Sequence, residues 1–328
     1  MIVNCILLII AFLLLIKGAD FLVEGARSVA KKFHIPEMII GLTVVAIGTS
    51  MPELVVSVQS ALEGHSDIAL GNIVGSNLVN MFLILGICAI MKPLVFKKET
   101  KYIENPIMLV VTILLFIMCK VGMQADMISR TEGIVLLLLC LAFIVYNIVM
   151  AKRANTIETT EQEENDQPTL LEASKEKPIW KSLLYIILGI AALKFGGDFV
   201  VDNAVEIASL MGISEKLISV TIVAIATSLP ELVTSIVATR KGETDMAIGN
   251  ILGSQIFNIV LILGLSAVLS PIPYSGIYDR DMWILLAGST LLCLYPFIGE
   301  KNQMTANKGI FFVLLYGLYM ANLIFTNM

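Results

Sequence analysis

Apolar residues run along this chain in stretches of about twenty, separated by short polar breaks, rather than alternating at the spacing of a half-buried helix or strand. A run of that length crosses ~30 Å of hydrocarbon as a helix, whereas a soluble core helix needs only one apolar stripe. The pattern predicts ten spans, at approximately 3–26, 38–62, 67–91, 103–121, 131–151, 181–205, 214–239, 244–269, 281–299 and 309–326. The first run carries no basic n-region and no small-x-small cleavage site, and reads as a retained span rather than a signal peptide. One long stretch, Lys152 to Lys177, is polar, rich in Glu, Asn, Gln and Thr. It separates five spans from five. Because five is odd, the second set must enter the membrane from the side opposite to the first, so any repeat between the halves is inverted.

Composition agrees with the pattern. Of 328 residues 57% are hydrophobic and only 15% charged, with a mean hydropathy of +0.87. These values exclude an ordinary soluble domain and indicate an all-α polytopic membrane protein. The net charge of −5 resides mostly in loops. Placing the N-terminus outside puts sixteen Lys and Arg in inside loops, among them Arg27, Lys31, Lys97, Lys152 and Lys241, and leaves only Lys120, Arg130, Lys216 and Arg280 outside. That bias predicts a cell-membrane protein with both termini extracellular and a cytoplasmic central loop. The expected organisation is a first repeat over 1–151, an acidic linker over 152–179 and a second repeat over 180–328. The linker's Glu158, Glu161, Glu163, Glu164 and Asp166 lack the Asp-x-Asp-x-Asp-Gly calcium-loop pattern and read as solvated. Cys5, Cys88, Cys119, Cys140 and Cys293 have neither metal-ligand nor disulfide spacing and read as packing residues. Trp180 and Trp283 stand at span ends, as interfacial anchors do.

The chemistry lies in a duplicated segment. Val45-Ala46-Ile47-Gly48-Thr49-Ser50-Met51-Pro52-Glu53-Leu54 returns as Val223-Ala224-Ile225-Ala226-Thr227-Ser228-Leu229-Pro230-Glu231-Leu232, and the register holds without a gap to Gly86 and Gly264. Each copy places one carboxylate beside a proline deep in an apolar run. A charge at mid-membrane costs roughly 2.5–3.5 kcal/mol even on lenient insertion scales, which calls for a function. Inversion brings Glu53 and Glu231 towards one plane from opposite directions. Pro52 and Pro230 remove one N–H each and clash four residues back, at Gly48 and Ala226. Carbonyls near Thr49 and Thr227 are then free for something other than helix bonds, which is tolerated at this depth only in a cavity or inside protein. Internal repeats with interrupted helices point to a transporter site.

The donors assembled this way are all hard oxygens: two carboxylates, loosened carbonyls, and the hydroxyls of Thr49, Ser50, Thr227 and Ser228. No His, Cys or Met is placed to favour zinc, copper or iron. Oxygen cages suit Ca²⁺, with Na⁺ as a competitor of lower charge, and two glutamates neutralise one Ca²⁺ or two monovalent ions. If Glu53 and Glu231 instead locked the bundle through ion pairs, only Lys17 and Lys194 lie within spans, and those sit near Asp20 and Asp198. These four charged residues are assigned to structure or gating. A second duplicated block follows, Gly71-Asn72-Ile73-Val74-Gly75-Ser76-Asn77 and Gly249-Asn250-Ile251-Leu252-Gly253-Ser254-Gln255. Glycines four apart favour close helix packing. Asn72, Ser76, Asn80 and their matches Asn250, Ser254 and Asn258 add further oxygens, and Ser76, Ser254, Asn80 and Asn258 are read as ligands or cavity lining.

With these motifs in view the chain resembles the cation/calcium exchanger superfamily, and within it the sodium/calcium exchangers of prokaryotic type. The two blocks resemble that family's alpha-repeats, and the resemblance covers essentially the whole chain. It implies ten transmembrane helices as two inverted five-helix repeats, with alternating access by sliding of the first and sixth helices. It further implies Ca²⁺ held by Glu53, Glu231 and the carbonyls of Thr49 and Thr227. Sodium would use the same glutamates, the carbonyls of Ala46 and Ala224, and the hydroxyls of Ser50, Ser76, Ser228 and Ser254. Some relatives carry Asp at the position of Asn258, and in the potassium-dependent exchangers that Asp is associated with K⁺. Neutral Asn80 and Asn258 therefore imply a potassium-independent site.

The expected function is electrogenic exchange of Na⁺ for Ca²⁺, with no cofactor; both ions are cargo, and the lipid bilayer is the one partner, with no nucleic acid and no obligatory protein. A Ca²⁺/H⁺ antiporter is the nearest alternative, since buried carboxylates can carry protons; the hydroxyl-rich flanks favour Na⁺, because protons need no extra ligands. A passive cation channel is more distant, its pore elements usually repeating about the membrane normal. An intramembrane enzyme lacks any nucleophile–base pair here.

Overall fold

Short loops between long apolar runs leave the backbone no partner but itself, and the described residues are helical nearly throughout. The computed structural model describes residues 2–122, 126–164, 178–210, 224–298 and 302–327. In chain order the helices are α1 (Ile2–Lys32), α2 (Glu37–Thr49) and α3 (Met51–Leu62), which meet at 49°, α4 (Ile68–Met91) and α5 (Thr100–Val121). There follow α6 (Arg130–Glu164), α7 (Ile179–Leu210), α8 (Ala224–Ala226), α9 (Leu229–Lys241), α10 (Thr244–Leu269), α11 (Asp279–Leu294) and α12 (Ala306–Asn327). Among the described residues seven helices are long and apolar enough to cross a membrane, or eight if the bent pair α2–α3 is one span. Of the seventh sequence-predicted span, residues 214–223 lie outside the described segments, and α8 and α9 are its described part. The ninth is α11, with 16 residues.

The boundary that differs most from the sequence reading is the end of α6. Helix α6 continues to Glu164, thirteen residues beyond the expected end of the span at 151. From Ala151 to Glu164 the chain contains neither Gly nor Pro and has four Glu and two Ala, so nothing stops the helix where the hydrocarbon pattern stops.

Burial sorts the helices into two layers. Windows of α4 and α10 are 78% and 83% buried, those of α6 and α12 only 22% and 17%. Helices α4 and α10, which carry the second duplicated block, are thus the centre, and the exposed apolar sides of α1, α6, α7 and α12 are the lipid-facing surface. The loops are tied in pairs by two short antiparallel ladders: Leu94–Val95 with Gln303–Met304, and Met127–Ile128 with Ile272–Pro273. Ion pairs join Arg27 to Glu243 at 2.7 Å, Lys97 to Asp245 at 2.5 Å and Lys120 to Asp279 at 2.6 Å. Each link connects two loops or helix ends that the loop-charge count assigns to one and the same side.

Helices α1 and α7 run antiparallel against each other. Ser28 meets Ser182 through a 2.8 Å hydroxyl contact, Gly18 meets Leu193, and Leu15 meets Gly196, so numbering falls on one helix as it rises on the other. The approach is close enough to require glycine: a Cβ at Gly189 would stand 2.6 Å from Leu22 N and 2.8 Å from Gly18 O. The charged residues of this pair divide as the sequence suggested in one half only. Lys194 binds Asp198 at 2.7 Å, whereas Asp20 takes Lys241 at 3.0 Å and leaves its helical neighbour Lys17 at 4.0 Å. Helix α9 packs on α1, which brings its basic last turn to Asp20.

Candidate cation site

The site starts from two interrupted helices. At Ser50 the backbone leaves helical geometry (φ −82°, ψ 11°), and Pro52 enters as the second residue of α3. Ser228 does the same (φ −87°, ψ 6°) ahead of Pro230 in α9. The ladder resumes past each proline, with Leu54 N–H donating to Ser50 O at 3.1 Å and Leu232 N–H to Ser228 O at 3.0 Å. Pro52 and Pro230 have no N–H to offer Gly48 O and Ala226 O.

Glu53 and Glu231 follow immediately, and both are wholly buried. Their partners are hydroxyls drawn from both halves of the chain. Ser50 Oγ donates to Glu231 Oε1 at 2.8 Å, and Ser228 Oγ to Glu53 Oε1 at 3.3 Å. Ser76 Oγ reaches Glu53 Oε1 at 3.4 Å, and Ser254 Oγ stands 3.0 Å from Ser50 Oγ. The second oxygen of each glutamate, Oε2, is buried without a hydrogen-bond partner. Among the described residues no Lys or Arg pairs with either carboxylate. A lock made of ion pairs is not what holds them.

The amides of the second block lie around this pair. Thr49 Oγ1 stands 3.1 Å from Asn250 Oδ1, and Thr227 Oγ1 3.4 Å from Asn72 Oδ1. Asn80 and Asn258 are fully buried. Asn258 Nδ2 donates to Asn77 Oδ1 at 3.0 Å, while Asn258 Oδ1 and both polar atoms of Asn80 have no partner. Each lies where its helix widens into a π-type turn, over Val79–Ile84 and Asn258–Leu263. Such turns re-aim side chains and recur at functional sites. The Ala46 carbonyl is already engaged by Ser50 N–H at 3.0 Å, with Thr49 Oγ1 3.2 Å away, and is less open to an ion than the resemblance implies. Ala224 begins α8.

Chemically this is an oxygen cage with a surplus of acceptors. Two carboxylates without a protein cation, each with one unsatisfied buried oxygen, cost several kcal/mol unless a mobile cation or proton completes them. Every neighbouring donor atom is an oxygen or an amide, a set that suits Ca²⁺ and Na⁺ and not thiophilic metals.

Comparison with known proteins decides the family. The sodium/calcium exchanger protein family matches residues 3–149 and 181–325, almost the whole chain and both halves. This chain belongs to the sodium/calcium exchanger family. It is similar to the inner membrane protein YrbG of Escherichia coli, 37% identical over 95% of this chain and 96% of that one. The sodium/calcium exchanger MaX1 of Methanosarcina acetivorans is 29% identical over 98% and 99%. Among solved structures, the sodium-calcium exchanger NCX_Mj soaked with Na⁺ and Ca²⁺ superposes with a TM-score of 0.80 at 29% identity, covering 98% of each chain.

Within this exchanger-family chain, Glu53, Glu231, Ser50, Ser228, Ser76, Ser254, Thr49 and Thr227 converge on one network, as the repeat suggested. Asn80 and Asn258 are buried on the same central helices. Sequence reasoning passed over Ser57 and Ser235, which hold the amides of Asn72 and Asn250, and gave no role to Asn77. The signal was present: Ser57 and Ser235 are themselves matched across the repeat, four residues after each glutamate. Thr234, buried with an unpartnered hydroxyl, aligns with Val56, so the repeat offered no signal for it.

Proposed function

We propose that this protein is a secondary antiporter that exchanges Na⁺ for Ca²⁺ by alternating access, electrogenic and independent of K⁺. The observation that carries this reading is the pair of buried glutamates, Glu53 and Glu231, bound to hydroxyls of both halves and each left with one unpartnered oxygen. Ca²⁺ would occupy both carboxylates with the carbonyls of Thr49 and Thr227. Na⁺ would draw on the same carboxylates, the hydroxyls of Ser50, Ser76, Ser228 and Ser254, and the carbonyls of Ala46 and Ala224. Asn80 and Asn258 line the cavity and, being neutral, keep the site charge at −2. One charge-limited cage that accepts either ion, never both, is the simplest physical basis of exchange.

The architecture that goes with it is ten spans in two inverted repeats, over 1–151 and 180–328, with both termini outside and the intervening segment cytoplasmic. The antiparallel packing of α1 on α7 and the same-side loop links support this arrangement. The lipid bilayer is the medium the exposed apolar helix faces require. Calcium uptake by vesicles loaded with Na⁺ and diluted into Na⁺-free buffer tests the function. Dependence on internal Na⁺ supports it, and dependence on a pH gradient alone would replace Na⁺ by H⁺ as the coupling ion.

A further inference from the structure

Asn72 and Asn250 each present two ends to different destinations. Asn72 Nδ2 donates to Ser57 Oγ at 3.0 Å and lies 3.4 Å from Glu53 O. A carbonyl only accepts, so this end of the amide is its nitrogen. The Oδ1 end is thereby turned to Thr227 Oγ1, in the other half of the chain. Asn250 repeats the arrangement, with Nδ2 on Ser235 Oγ at 3.0 Å and Oδ1 receiving Thr49 Oγ1 at 3.1 Å. Ser57, Ser235 and Thr49 are fully buried and Asn250 nearly so, so the Asn250 chain is closed to water, whereas Asn72 is half-buried. Thr49 and Thr227 stand at the helix breaks, next to the carbonyls that Pro52 and Pro230 leave without a helical donor.

We propose that Ser57 and Ser235 are positioning residues of the cation site, each acting through an asparagine to fix the threonine at the other half's helix break. Ser57 holds Asn72, which holds Thr227; Ser235 holds Asn250, which holds Thr49. Neither serine touches the ion. Each half thus sets the ligand geometry of its counterpart. The inference rests on the reading of this cage as the transport site.

Double-mutant cycles test it, because a merely structural serine would not distinguish partners by half. Ser57→Ala, Thr227→Val and Thr49→Val are compared singly and in pairs by half-saturating Ca²⁺ for uptake in proteoliposomes and by the Ca²⁺-induced rise in thermal midpoint in detergent. Each single change removes one hydrogen bond of these chains and is expected to raise half-saturating Ca²⁺ about 2- to 12-fold. The crossed pair Ser57→Ala/Thr227→Val is expected to be no weaker than its worse single member, and the same-half pair Ser57→Ala/Thr49→Val to show the product of its two effects. Independent effects in the crossed pair, or coupling only in the same-half pair, would overturn the proposal. If Ser57→Ala does not yield folded protein, the cycle of Ser235→Ala with Thr49→Val and Thr227→Val asks the same question with the halves exchanged. The thermal shift reports Ca²⁺ binding without a coupling ion. A wild-type protein that binds Ca²⁺ but ignores Na⁺ therefore overturns the exchange reading while leaving this inference to be decided by the cycle.

Discussion

Ser50, at the break between α2 and α3, donates its hydroxyl to Glu231 of α9 at 2.8 Å, a bond that spans 181 positions of sequence. Its counterpart from Ser228 to Glu53 is longer, at 3.3 Å. The two halves therefore grip each other's carboxylate with unequal strength in this conformation. Ser50→Ala should raise half-saturating Ca²⁺ by about 10- to 150-fold, the range for losing a hydrogen bond to a charged group. Ser228→Ala should cost less. Equal effects from the two, measured as uptake against Ca²⁺ concentration, would contradict the asymmetry.

Removing the charge itself is a larger change. Glu53→Gln and Glu231→Gln retain shape but take one negative charge from the cage, and both should abolish Ca²⁺ uptake, to below about 1% of wild type. A loss of binding of roughly 3 kcal/mol would suffice. Both variants should elute as folded monodisperse protein on size-exclusion chromatography, because the glutamates carry no structural ion pair among the described residues. Normal uptake by either would remove the carboxylates from the mechanism.

The repeat made the site legible and the chain's polarity made the spans legible, for different reasons. A polar residue in hydrocarbon is rare enough that Glu53, Ser50 and Asn80 stand out individually, and the constant offset to Glu231, Ser228 and Asn258 converts each oddity into a pair. Which oxygen faces an ion and which faces another side chain depends on how neighbouring helices are rotated, and no spacing along one helix encodes that. Hence Ser57 and Ser235 went unremarked although they are matched, and the Ala46 carbonyl, a ligand by family resemblance, is already in use by Ser50 N–H. The salt-bridge partner of Asp20 is also tertiary: Lys17 is nearer in sequence, Lys241 in space. The extension of α6 to Glu164 escaped notice because hydropathy marks the membrane boundary, while helix propensity continues beyond it.

The contact between α1 and α7 admits no side chain at Gly189. Gly189→Val should separate the pair and destabilise the protein by about 1–3 kcal/mol, the usual cost of overpacking. It should also slow transport more than it weakens Ca²⁺ binding, if these helices move past each other during the cycle. A variant with wild-type thermal midpoint and wild-type maximal rate would show that the interface is neither tight nor mobile.

Neutral asparagines at 80 and 258 carry a consequence for monovalent selectivity. Replacing K⁺ by choline should leave Na⁺-driven Ca²⁺ uptake unchanged. Asn258→Asp adds a third negative charge to the buried network and should make uptake respond to K⁺. Potassium dependence in the wild-type protein would contradict the assignment of these two residues.

If more than two Na⁺ move for each Ca²⁺, as electrogenic exchange requires, net positive charge travels with the sodium. In vesicles loaded with Na⁺, an inside-positive potential set by valinomycin and a K⁺ gradient should therefore speed Ca²⁺ entry, and an inside-negative one should slow it. Rates indifferent to the potential would indicate electroneutral exchange.

The central claim is the identity of the coupled ions, and the most direct measurement is radiolabelled Ca²⁺ uptake by proteoliposomes loaded with Na⁺ and diluted into Na⁺-free medium, with pH clamped by an ionophore. The account expects uptake that requires internal Na⁺, survives the clamp and disappears in Glu53→Gln. Uptake that ignores Na⁺ and follows an imposed pH gradient would contradict it.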